Sequence, residues 1–324
     1  MSDCSVGIDI GKYKFDVAVL SPQGASKYKN FPNTSDGFKE LIKWLGSAVK
    51  LAPHFCMEAT GRYGEQLAFF LHDAGYSVSV VNPVCIKNYG KSKLRRTKND
   101  KVDSMLIAIY CQNESPKLWQ PLPKASRELQ ALTREMYRAK DLLAQEKTRL
   151  KAGQHCRAVL SSIESRLFFL EAQVEELETL INAHIDSCPQ LKKQKRLLVT
   201  IPGVAETTAN ALLGEIPDVH RFAGVRQLVA YAGLAPSERS SGTLRGQTRL
   251  SKVGSSRLRK ILYMPAVCGK RYNPAIIAFC NRIEAGGKSK MVALGGAMRK
   301  LLHIVYGILK SETPFDARIH LQKA

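Results

Sequence analysis

The strongest constraint on the fold lies in residues 5–20, SVGIDIGKYKFDVAVL, where apolar residues recur at every other position. That repeat belongs to a strand, which turns successive side chains to opposite faces of a sheet. Together with residues 26–31, SKYKNF, the stretch reads as a strand, a turn and a second strand, so a hairpin opens the fold. SDGFKELIKWLGSAV follows as a helix capped by Ser35 or Asp36, with Phe38, Leu41, Ile42 and Leu45 on the face that covers the sheet. HFCMEAT, GEQLAFFLHDAG and YSVSVVNP then alternate as strand, helix and strand, which calls for a mixed sheet with flanking helices. An α/β domain is expected over residues 1–120. Its last element begins near Asn99 and runs through Met105, Leu106 and Ile109, ahead of the proline-rich SPKLWQPLP.

Beyond it the pattern changes. Leu129, Leu132, Met136, Ala139, Leu143 and Leu150 follow alternating spacings of three and four, interrupted by Glu146. Ile163, Leu167, Leu170, Val174, Leu177 and Ile181 repeat the pattern after a break near Gly153. Residues 121–188 therefore read as two long helices. They form an antiparallel coiled-coil hairpin, an arm that pairs with another subunit, or helices packed on their own chain. Residues 189–324 are again helical, glycine-punctuated and basic, and make a third unit.

Charge narrows the partners. The chain carries 49 Lys and Arg against 28 Asp and Glu, a net +21, far more than solubility needs. Such an excess points to a polyanion, with nucleic acid ahead of a membrane surface, and binding should then weaken steeply with salt. No apolar run approaches 18 residues and MSDCSVG lacks a signal-peptide pattern, so a soluble, cytoplasmic protein not associated with a membrane is expected. Eight scattered cysteines and seven histidines show no metal-ligand spacing, and GGKSK lacks the spacing of a P-loop.

Within so basic a chain the acids are informative. KSKLRRTKNDKVDSM, residues 91–105, sets Asp100 and Asp103 at the end of a run containing Lys91, Lys93, Arg95, Arg96 and Lys98. If those cations only held phosphates, the two acids would weaken the grip. On a helix, residues three apart share a face and can meet one ion, although an N-cap at Asn99 or Asp100 would use the same residues. Asp9 lies inside the apolar VGIDIG, where an unpaired carboxylate costs several kcal/mol or takes up a proton. It needs a cation, either a metal or Lys12 or Lys14. Glu58 ends another apolar strand before a glycine-bearing turn, where α/β sheets place their chemistry. Converging, the four would suit Mg²⁺, with Mn²⁺ as a substitute, and phosphoryl chemistry.

GIDIGKYKFDVAVL, CMEATG, VSVVNP and RTKNDKVDSMLIA resemble the N-terminal domain of the bridge-RNA-guided insertion-sequence transposases with a DEDD motif, relatives of the pilin-gene invertases. LLVTIPGVAETTANALLGEI, FAGVRQLVAYAGLAPSERSSG and SKVGSSRLRKILYMPA resemble that family's C-terminal transposase domain. The resemblance implies a RuvC-like ribonuclease-H fold followed by a coiled-coil region and a mostly helical domain with a helix-hairpin-helix-like element, α/β plus α in class. It makes Asp9, Glu58, Asp100 and Asp103 the acids and Ser241, before Gly242, the nucleophile, with Ser240 the alternative. It further implies donor and target double-stranded DNA and a noncoding bridge RNA as partners, and a homodimer or tetramer in the assembled complex. Strands would be exchanged through a covalent phosphoserine.

IPGVAETTANALLGEI reads independently as a turn and helix offering backbone N–H groups to phosphate. Arg239, Arg245, Arg249, Lys252, Arg257 and Arg259 give the following segment a phosphate-binding composition. Three rivals stand beside the recombinase: a structure-selective metal nuclease without serine chemistry, an actin-like ATPase, whose fold also opens on GIDIG and a hairpin, and a non-catalytic nucleic-acid-binding scaffold.

Overall fold

The computed structural model describes residues 4–21, 25–48, 53–59, 62–93, 99–153, 156–216, 218–237 and 249–321. They divide into two compact units, Met1–Pro121 and Leu122–Ala324. In the first, β1 (Cys4–Ile10), β2 (Lys14–Leu20) and β3 (Ser26–Pro32) precede α1 (Ser35–Ala48), β4 (Pro53–Glu58), α2 (Arg62–Asp73), β5 (Ser77–Val81), α3 (Pro83–Ser92) and α4 (Asp100–Glu114). The sheet order is β3-β2-β1-β4-β5, antiparallel among the first three strands and parallel from β1 through β4 to β5. The sheet is mixed, as expected, and the α/β-plus-α class holds.

The opening of the chain corrects one expectation. Residues 5–31 form three strands, not two, because Gly11–Tyr13 is a turn in which the Gly11 N–H donates to the Lys14 carbonyl at 2.9 Å. The apolar positions change parity across it, from Val6, Ile8 and Ile10 to Phe15, Val17 and Val19. A continuous strand keeps one parity, so the change marks a reversal of the chain.

Alternation along the strands sorts the two faces of the sheet. Val6, Ile8, Ile10, Phe15, Val17, Phe55 and Met57 bury against Phe38, Leu41 and Leu45 of α1 and Leu67 and Leu71 of α2. On the opposite face Ser5, Gly7 and Asp9 meet α4, which crosses β1, β2 and β4 and packs Leu106, Ile107 and Cys111 with Cys56. Gly7 sets how closely that helix approaches. A Cβ there would lie 2.1 Å from the Ser104 carbonyl oxygen and 2.2 Å from the Ala108 nitrogen, both backbone atoms that cannot turn aside. Gly7→Ala is therefore expected to lower stability by about 3 kcal/mol, read from the urea midpoint. An unchanged midpoint would mean that α4 is free to lift from the sheet.

In the second unit α5 (Lys124–Lys151) and α6 (Arg157–Ser187) form the hairpin that the spacing anticipates. Their ion pairs, Lys140–Glu178 at 2.6 Å and Lys147–Glu171 at 2.8 Å, step in opposite directions along the two helices, so the helices are antiparallel. Glu146, the break in the apolar seam, faces Arg166 at 3.3 Å. The base of α5 is fixed to α8 (Glu206–Glu215) by Arg134, whose Nε lies 2.7 Å from the buried Glu215. α7 (Pro189–Val199) meets α8 through a turn containing Gly203, whose φ of +98° favours glycine. The Pro-Gly turn leading into a small-residue helix that IPGVAETTANALLGEI suggests is thus present.

The remaining helices are α9 (Val225–Tyr231), α10 (Ser256–Tyr272), α11 (Pro274–Ala285), α12 (Lys290–Ser311) and α13 (Ala317–Leu321). Among the described residues α12 alone is long and apolar enough to cross a membrane. It buries Ala293, Ala297, Leu301, Leu302, Ile304, Val305 and Ile308 in the helical core, and this accounts for its apolarity. Between α9 and α10, β6 (Pro236–Ser237) pairs antiparallel with β7 (Arg249–Leu250).

Candidate active site

Three rules of local structure bring carboxylates together on one face of the sheet, at neighbouring positions of its interior strands. Asp9 and Asp16 are direct partners across the antiparallel β1–β2 pair, so their side chains share a face. The parallel register Ile8–Met57 sets Glu58 alongside Asp9 at the end of β4. Asn99 caps α4 by accepting the Val102 N–H at 2.8 Å, which starts the helix at Asp100 and places both Asp100 and Asp103 in its first turn. The capping role foreseen for Asn99 is thus met, and it positions the acids without replacing them. Because α4 lies against Gly7, its first turn arrives at Asp9.

The electrostatics report the convergence. Asp9 is pushed up to about 6, first by burial and then by the charges of Asp103, Asp100, Glu58 and Asp16. Neither Lys12 nor Lys14 relieves it. Lys14 turns instead to Asp100, at 2.7 Å, and Asp16, at 3.2 Å, which corrects the expectation that it could neutralise Asp9. This geometry follows from β2, where Lys14 and Asp16 are two apart and share a face. Its hydrogen bond to Asp100 lowers that carboxyl below its ordinary value and raises its own.

Asp16 went unremarked in the sequence, although an acid inside KFDVAVL carries the same signal as the acid inside VGIDIG. Only 3% exposed, it accepts a hydrogen bond from the Tyr28 hydroxyl of β3, which raises that phenol to about 12. Lys14 and Tyr28 satisfy Asp16. Asp9 has no cation paired with it among the described residues.

A divalent cation fits this donor set by its chemistry: hard oxygen atoms, a surplus of negative charge and a partly buried acid whose pKa burial and like charges raise. Among the described residues, however, no group of three or more His, Cys, Asp or Glu side chains is gathered tightly enough to hold an ion. The ammonium of Lys14 occupies the place beside Asp100.

Of the expected phosphate contacts, Lys91 and Lys93 are exposed at the end of α3, with Lys93 over the Tyr89 ring at 5.4 Å. Arg249, Lys252 and Arg257 are exposed between β7 and the start of α10. Arg259 uses Nη1 on the carbonyls of Ala232, at 3.0 Å, and Gly254, at 3.2 Å, so part of its guanidinium braces the backbone. Arg95, Arg96, Lys98, Arg239, Ser240, Ser241 and Arg245 lie outside the described residues.

Two family models match the chain: a transposase model of the DEDD, IS110 type over residues 6–163, and one described as transposase IS116/IS110/IS902 family over residues 195–281. The pilin gene-inverting proteins of Moraxella bovis and Moraxella lacunata are each 36% identical over 325 residues, covering 99% of this chain and 100% of theirs. An insertion element IS110 protein of 43.6 kDa from Streptomyces coelicolor is 29% identical over 198 residues, 61% of this chain and 47% of its own length. Among solved structures, T. thermophilus RuvC in complex with Holliday junction substrate aligns at 12% identity and a TM-score of 0.28, covering 36% of this chain and 99% of that one.

Proposed function

The chain belongs to the IS110 family of transposases, and we propose that it exchanges DNA strands of an insertion element with its target by serine chemistry, assisted by Mg²⁺ and guided by a noncoding bridge RNA. The observation that supports the metal-dependent part is the approach of Glu58, Asp100 and Asp103 to Asp9, whose carboxyl is pushed up to about 6, first by burial and then by the charges of its acidic neighbours. The serine and the RNA rest on the resemblance of PSERSSG and its neighbours to the family.

In this proposal Asp9, Glu58, Asp100 and Asp103 hold the metal. When bound, it polarises the scissile phosphate and stabilises the departing oxygen. Lys14 releases Asp100 and keeps Asp16, so the buried Asp16 stays neutralised throughout. Lys91, Lys93, Arg249, Lys252 and Arg257 grip the sugar-phosphate backbone, and Arg95, Arg96, Lys98, Arg239, Arg245 and Arg259 are assigned to the same task.

The Oγ of Ser241 forms a bond to phosphorus as the bond to the neighbouring sugar oxygen breaks, and that oxygen leaves with a proton. A hydroxyl of the incoming strand reverses the step, restoring a phosphodiester and returning the proton to the serine. The number of phosphoester bonds is unchanged, so no ATP is required. Donor and target DNA are bound by a homodimer or tetramer, in the bacterial cytoplasm at the nucleoid.

The test combines the protein with the element's junction DNA, target DNA and a transcript of the flanking noncoding DNA. Recombinant product is expected with Mg²⁺ or Mn²⁺ and transcript together, and a drop to background with EDTA or without transcript. Full activity in EDTA would remove the metal, and full activity without transcript would remove the guide RNA.

A further inference from the structure

Two exposed tyrosines sit in the segments that follow the strands carrying Asp9 and Glu58. Tyr13, in the turn between β1 and β2, is 76% exposed, and Tyr63, in the first turn of α2, is 48% exposed. Tyr13 lies between Asp9 and Lys14 in the chain, and Tyr63 follows just beyond Glu58. One residue fixes both backbones. The Asn33 N–H donates to the Tyr13 carbonyl at 2.9 Å, while its side-chain Nδ2 donates to the Gly11 carbonyl at 3.1 Å and to the Tyr63 carbonyl at 3.0 Å. Both protons of that amide hold the two loops together. The Lys12 ammonium sits 4.9 Å from the centre of the Tyr13 ring.

Single exposed aromatic residues are ordinary. A pair whose backbones are tied to one asparagine, in the segments following β1 and β4, with a cation on one ring, in a chain of net charge +21, is a built feature. Exposed tyrosine rings stack on bases without regard to sequence, while lysine meets the adjoining phosphate. Strand exchange also requires bases at the cut to leave their duplex, and an unstacked base needs a replacement for its lost neighbours.

We propose that Tyr13 and Tyr63 form a binding site for an unstacked nucleobase. They clamp the nucleotide next to the scissile phosphate, and Lys12 holds its backbone. The inference rests on the recombinase proposal. Both tyrosines are positioning residues, because they touch the base and not the reacting phosphate.

The experiment measures affinity by fluorescence anisotropy, in EDTA so that no cleavage occurs. The full-length protein binds junction DNA with an abasic site moved one nucleotide at a time past the cleavage position. At one position the missing base is expected to weaken wild-type binding about tenfold. The double variant Tyr13→Ala/Tyr63→Ala should bind intact DNA about tenfold more weakly than wild type and be indifferent to the abasic site. Tyr13→Phe/Tyr63→Phe should behave as wild type, since phenylalanine keeps the ring face. Both side chains are exposed, so the variants should unfold at the wild-type temperature, and thermal unfolding checks this.

If wild type binds and recombines the DNA but no abasic position distinguishes it from the alanine variant, the clamp is overturned and the recombinase stands. Wild type that binds no DNA overturns both.

Discussion

An Asp9→Asn variant is expected to lose strand cleavage by roughly 10³-fold or more, about 4 kcal/mol of transition-state stabilisation. It should nevertheless unfold at a higher temperature than wild type at pH 8 in EDTA. The two effects have one cause. Burial, and then the charges of Asp103, Asp100, Glu58 and Asp16, push Asp9 up to about 6 in the folded chain from 3.8 as an ordinary carboxyl. Between those values the folded state keeps a proton that the unfolded state gives up, so stability falls as pH rises through the window and remains lower above it. The amide carries no charge and escapes that penalty, about 2 kcal/mol after allowance for the solvent that still reaches the site.

Near pH 4 the two proteins should therefore differ little in stability, and at pH 8 the variant should lead. Mg²⁺ should raise the unfolding temperature of wild type at pH 8 and leave the variant nearly unmoved, because binding to the folded state alone stabilises it. Cleavage retained within tenfold would remove Asp9 from the site. Lost cleavage with a lowered unfolding temperature at pH 8 would reduce the role of Asp9 to structure.

Ser241→Ala is expected to abolish the protein–DNA adduct that survives denaturation in wild type, and recombinant product with it. The test is a denaturing gel of Mg²⁺ reactions containing junction DNA, target DNA and transcript. Alanine removes the only atom that can bond to phosphorus at this position, so the loss should exceed 10³-fold and not scale with protein concentration. Ser240→Ala is the companion variant: if it alone loses the adduct, the nucleophile moves by one residue and the mechanism is kept. Free cleaved ends without adduct, equally abundant in wild type and both variants, would make the protein a metal nuclease that uses water. That result would leave the Asp9 expectation intact, so the two variants separate the acidic chemistry from the serine chemistry.

Much of the site was legible in the chain because strand periodicity and burial are local rules. An acid inside VGIDIG is costly wherever that strand lies, and Asn99 announces the helix that carries Asp100 and Asp103. The hairpin of α5 and α6 follows likewise from spacings of three and four, with the ion pairs Lys140–Glu178 and Lys147–Glu171 fixing their antiparallel sense. The same local rules, applied fully, would have split residues 5–20 at the change of parity and singled out Asp16.

Pairing between distant segments was decided by the tertiary structure alone. Lys14 is closer in sequence to Asp9 than to Asp100, yet it bonds Asp100, because α4 crosses β1 and β2 where Gly7 lets it approach. The backbones of Tyr13 and Tyr63 are tied together by Asn33, a loop residue whose hydrogen bonds have no periodic signature. Residue types and their repeats determined which acids had to find a cation and which faces had to be buried. The register of β1 against β2 and β4, and the close passage of α4 over a residue without a side chain, decided which charges meet, since Coulomb energy depends on distance in space and not on separation along the chain.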